Sequence, residues 1–139
     1  MFSGSERGRM ARVVMRLQGV YYIITGLWPV VNIYSFELIS GPKTDDWLVK
    51  MVGLLAASIG LALLFAARGV RPSVEGYVLG VASALSFIAI DVYYVLNGTL
   101  LEAYLLDALL EVCIVVLLLA GAWMGRKRSG SRRQETGSR

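Results

Sequence analysis

Residues 103–124 read AYLLDALLEVCIVVLLLAGAWM, a run in which only Asp107 and Glu111 carry a charge. A helix rises about 1.5 Å per residue and a bilayer's hydrocarbon core is about 30 Å thick, so a run of this length crosses it once. Three more mostly apolar runs of similar length lie upstream, at about residues 13–33, 47–67 and 74–96. An unpaired backbone amide in lipid costs on the order of several kcal/mol, so each run is predicted to satisfy its own hydrogen bonds as a helix. The expected fold is all-α, a membrane four-helix bundle.

Composition points the same way. The 139-residue chain is 56% hydrophobic and 17% charged, against about 45–50% and about 25% in soluble domains, and its mean hydropathy is +0.61. The net charge of +4 is not a nucleic-acid stripe: of the 14 Lys and Arg residues, all but Lys43 and Lys50 lie at the two ends or between residues 68 and 71. Basic residues flanking apolar spans mark the cytoplasmic side, so both termini are predicted to be cytoplasmic and nucleic acid is excluded as a partner. The length suits one domain. A basic N-terminal segment, 1–12, precedes the transmembrane domain, 13–124, and a disordered basic cytoplasmic tail, 125–139, follows it. The first apolar run exceeds the ~7–15 residues of a signal-peptide core, so it is expected to remain as a helix.

Local punctuation fits these limits. Ser40-Gly41-Pro42-Lys43 and Asn97-Gly98 read as turns. Thr44 with Asp45 and Asp46 reads as the start of the second span, Ser73 as the cap of the third, and Thr99 with Glu102 as a capping box for the fourth. Pro29 is expected to bend the first span near its outer end, and Phe36, Leu38 and Ile39 to form a short interfacial turn.

Small residues at helical spacing mark the faces that pack in lipid. They are Gly19 and Gly26 in line with Arg16 on the first span, and Gly53, Ala57 and Gly60 in line with Lys50 on the second. On the third they are Gly76, Gly80 and Ala84 in line with Phe87 and Asp91. On the fourth, Asp107 and Glu111 are one turn apart and share a face with Ala103, Ile114 and Leu118.

The chain has no histidine and one cysteine, Cys113, which removes His-based triads, imidazole-bound haem, disulfides and the usual zinc sites. No metal ligand set, cofactor or catalytic residue is assigned. Asp91, Asp107 and Glu111, with Lys50, are the candidate ligand-binding residues. Ionisable side chains at such depth are costly, and they either line a polar site for a cation, a proton or an amine-bearing or hydroxylated apolar ligand, or pin the helices together structurally. Arg16 and Glu75 are candidates for a structural ion pair between the first and third spans. Tyr21, Tyr22, Tyr93, Tyr94 and Trp28 fit either a ligand lining or interfacial belts.

The segments Ser35-Phe36-Glu37, Gly41-Pro42-Lys43-Thr44-Asp45 with Trp47, and Tyr104-Leu105-Leu106-Asp107 with Glu111 resemble those of uncharacterised bacterial four-helix membrane proteins. The layout is similar to the DoxX-like group over nearly the whole chain. No catalytic motif of that group is matched residue by residue, so the resemblance implies an architecture and a bacterial inner-membrane location, and no activity. The acids also resemble those of sterol-isomerase-related membrane domains, but the histidine of that chemistry has no counterpart. The expected role is a small-ligand-binding or accessory subunit with an acidic site in the outer half. The alternatives are a proton- or cation-coupled transport component and an acid/base enzyme acting on an apolar substrate. Expected partners are membrane lipids and either a second copy or a partner membrane subunit.

Overall fold

The computed structural model describes residues 4–69 and 72–135, with side chains described for residues 8–69 and 72–123. Five helices follow one another: α1 (Gly4–Val31), α2 (Ile33–Ser40), α3 (Asp46–Ala66), α4 (Val74–Leu96) and α5 (Ala103–Glu135). There is no strand among the described residues. Asp46–Ala66, Val74–Leu96 and Ala103–Trp123 are each long and apolar enough to cross a membrane. A fourth crossing is reached only if Gly8–Val31 and Ile33–Ser40, bent by 113° at their junction, act as one span.

The three later spans begin and end within a residue or so of the expected limits. The first does not: it starts inside the basic segment and breaks at Asn32, where the sequence suggests one continuous run to residue 33. Pro29 has no N–H to offer the preceding turn, and Asn32 then leaves the helical region at φ −149 and ψ 88. The Asn32 side chain accepts the Ser35 N–H at 3.0 Å, starting α2 as an N-cap does. Trp28 donates to Ser35 Oγ at 2.9 Å and packs edge-on against Phe36, which fixes the fold-back. The expected interfacial turn is thus a two-turn helix, closed by Gly41 at φ 85, a backbone region that suits glycine.

The other termini correct two expectations. Ser73 caps α4 as predicted, accepting the Gly76 N–H at 3.1 Å. Thr44 does not cap α3, whose N-cap position is Asp45, without a side-chain cap bond. The Thr99–Glu102 capping box is absent, because α5 begins at Ala103 and the N–H groups of Thr99 and Leu100 turn back to the Tyr94 carbonyl. At the other end α5 runs on to Glu135 where a disordered tail is expected; Arg, Lys, Gln and Glu are good helix formers and continue the helix past its apolar part. Residues 136–139 of that tail lie outside the described residues.

The helices pack as α3–α1–α5–α4, with the most extensive contacts between α1 and α3 and between α4 and α5. The small-residue stripes meet as expected. On α1 and α3 they run antiparallel, Gly19 against Gly60 and Gly26 against Gly53. A Cβ on Gly19 would lie 2.7 Å from the Gly60 carbonyl oxygen, and one on Gly26 would collide with the Gly53 carbonyl. The α4 face buries Gly76, Gly80, Ala84 and Asp91, and the α5 face buries Ala108, Glu111, Ile114 and Leu118. The start of α1 and the end of α5 define a proximal end and the Gly41 and Gly98 turns a distal end. Toward the proximal end, Val14, Met15, Ala67, Ile114 and Leu118 form one apolar core. Large apolar side chains such as Leu54, Leu61, Val78, Leu85, Leu109 and Val116 stay exposed around the bundle. So much unpartnered apolar surface on a monomer suits a lipid solvent.

Candidate functional site

Distal to the apolar core, α1, α4 and α5 converge on polar side chains. α1 presents Gln18, Tyr21 and Tyr22 within little more than one turn. Tyr22 is buried and donates to Glu111 Oε2 at 3.1 Å. Gln18, also buried, donates through Nε2 to the Tyr22 hydroxyl at 3.1 Å and to the Gly80 carbonyl at 2.9 Å. Beside it the Tyr21 hydroxyl donates to Asp107 Oδ1, and the buried Asp91 carboxyl interacts electrostatically with Asp107 and Glu111. The Tyr22 ring meets Phe87 edge-on at 5.3 Å, giving the polar group an aromatic wall.

This arrangement is rich in acceptors and poor in donors. Asp91 is 4% exposed and Glu111 1%, yet Asp91 Oδ2, Glu111 Oε1 and Gln18 Oε1 are buried without a hydrogen-bond partner. Each such atom costs about 1–3 kcal/mol, and the three lie on the mutually facing sides of α1, α4 and α5. Whatever supplies N–H or O–H donors there recovers that energy. Among the described residues, no group of three or more His, Cys, Asp or Glu is placed to hold a metal ion.

Of the residues nominated from sequence, Asp91, Asp107 and Glu111 come together. Lys50 does not join them: it is half-buried on α3, one turn distal to Gly53, and no hydrogen bond or ion pair among the described residues links it to the three acids. The Arg16–Glu75 pair is corrected. Arg16 donates to the Ala67 carbonyl at 3.2 Å, since the carbonyls at a helix C-terminus attract a cation, while Glu75 is exposed in the first turn of α4. Cys113 is exposed on the apolar surface, away from the polar group.

Gln18 was not singled out in the sequence, although an amide one turn before Tyr22 in an apolar run is a signal. Tyr22 sits too far from either end of α1 for an interfacial belt, and that depth marks it as a partner for a buried acid. No family model, no curated protein and no solved structure matches the chain.

Proposed function

We propose that the protein crosses a bacterial inner membrane four times, with both termini in the cytoplasm, and acts as a small-ligand-binding or accessory subunit. Its site lies in the outer half, between α1, α4 and α5, and takes a small apolar molecule bearing hydroxyl or amine donors. One observation carries this reading: three buried oxygens from three helices, on Gln18, Asp91 and Glu111, have no donor. The orientation is supported by the basic residues at the proximal end. The DoxX-like resemblance supports the architecture and the location.

The transport alternative is less well supported. A path for protons or cations needs polar groups through the whole thickness, and proximal to Gln18 and Gly80 the bundle closes over Val14, Met15, Ala67, Ile114 and Leu118. A polar group confined to one side of the apolar core suits binding better than passage.

The test is the double variant Asp107→Asn with Glu111→Gln, purified in detergent and compared with the parent by thermal shift against hydroxylated and amine-bearing apolar compounds. The expected outcome is a ligand-dependent rise in Tm for the parent that is lost in the variant. An equal response of both proteins would remove the site from these residues.

A further inference from the structure

The proximal end holds a second charged feature that the acidic site does not use. Arg12 donates to the Gly8 carbonyl through Nε at 3.1 Å and reaches the Gly69 carbonyl through Nη1 at 3.4 Å. One turn along α1, Arg16 donates to the Ala67 carbonyl. Both guanidiniums are therefore held against the turn that carries Arg68, whose own guanidinium lies over the Phe65 ring at 4.0 Å from its centroid. No acid forms an ion pair with any of the three among the described residues. Helix-end carbonyls offset only part of this charge. Each guanidinium has five N–H donors, and the bonds above occupy two on Arg12 and one on Arg16.

We propose that Arg12, Arg16 and Arg68 form a binding site for the phosphate of an anionic phospholipid in the leaflet facing the chain termini. Arginine suits this task because its planar fork pairs with phosphate oxygens, and hydrogen bonds to the backbone keep two of the forks in place before the ligand arrives. The surface next to them favours a lipid over a soluble anion. Val13, Leu17 and Val20 on α1, and Leu61 and Phe65 on α3, are exposed large apolar side chains running distally from the arginines, a track for acyl chains below a headgroup. Basic pockets between helices at this depth are where anionic headgroups are recognised. The inference requires the chain to sit in a bilayer but does not depend on the acidic site.

The full chain in a neutral detergent is titrated with phosphatidylglycerol, with phosphatidylcholine and with inorganic phosphate, and Tm is followed. Phosphatidylglycerol is expected to raise Tm and phosphatidylcholine not to. In Arg68→Gln and in Arg16→Gln the half-saturating lipid fraction should rise about tenfold, the loss of one charge-assisted contact. Arg9→Gln, which removes an exposed charge from the same end, should stay within about twofold, as expected of a rim charge. Equal weakening by Arg9→Gln and Arg68→Gln would mean diffuse attraction and overturn the site, as would identical responses of parent and Arg68→Gln. Inorganic phosphate that reproduces the shift would overturn the lipid assignment. Arg68 makes no bond between helices, so that variant decides the matter even where Arg16→Gln fails to fold.

Discussion

Tyr22 holds two buried side chains at once, donating to Glu111 and accepting from Gln18. Replacing it by phenylalanine keeps the ring against Phe87 and removes only the hydroxyl. Tyr22→Phe is expected to lower stability in detergent by about 1–3 kcal/mol, the cost of leaving a buried carboxyl oxygen and an amide N–H without that partner. Thermal unfolding of Tyr22→Phe beside Ser58→Ala measures it, since Ser58 is exposed and its loss should stay within about 0.5 kcal/mol. Gln18→Leu fills the same volume but deletes one unpartnered oxygen along with two donated bonds. It should keep the fold and weaken any ligand response that runs through the acceptor group, as read in the same thermal-shift assay; an undiminished response would take Gln18 out of the site. The acids of this site were legible because carboxylates in apolar runs stand out and Asp107 and Glu111 share a helical face. Their phenolic and amide partners were not, because tyrosine and glutamine are tolerated at many depths and spacing along one helix says nothing about distance to another. The same limit separates the expected Arg16–Glu75 pair from the observed Arg16–Ala67 bond: charge suggests a partner, but only packing decides which acceptor is nearer.

Among the elements, α1 and α3 depend most on the absence of side chains. Gly53→Ala would press a methyl group into the Gly26 carbonyl, where backbone rather than a flexible side chain must move. An overpacking cost of about 1–3 kcal/mol is expected, visible as a lower Tm, whereas Ser58→Ala on the exposed side of the same helix serves again as the neutral comparison. The fold-back of α2 depends on a cap. Asn32→Ala removes the acceptor of the Ser35 N–H and should cost about 0.5–2 kcal/mol, measured by the same unfolding experiment. The α3, α4 and α5 spans were readable from apolar length alone, since each run ends at charges or turn residues. The break in α1 was not. Pro29 signals a bend, but Ile33, Phe36 and Leu38 continue the apolar pattern past it, and the 113° angle is set by Asn32, Ser35 and Trp28 acting together. α1 also reads as less apolar than the other spans because Gln18, Tyr21 and Tyr22 serve the neighbouring helices.

At the scale of the whole molecule, the proposed topology predicts a pattern of accessibility. In intact cells, a membrane-impermeant maleimide should modify Thr44→Cys and Gly98→Cys, and should reach Gly69→Cys only after permeabilisation, each in a Cys113→Ala background. Labelling of the first two positions from the cytoplasmic side alone would reverse the orientation and with it the placing of the acidic site in the outer half. The arrangement of the bundle also bears on how the chain is made. Tyr21 and Asp107 are separated by 86 residues and Tyr22 and Glu111 by 89, so the polar cluster joins α1 to a helix synthesised much later. Until α5 is synthesised, the Tyr21 and Tyr22 hydroxyls lack their carboxyl partners, whereas Gln18 can already donate to the Gly80 carbonyl of α4. The site is therefore completed only after α5 has been synthesised.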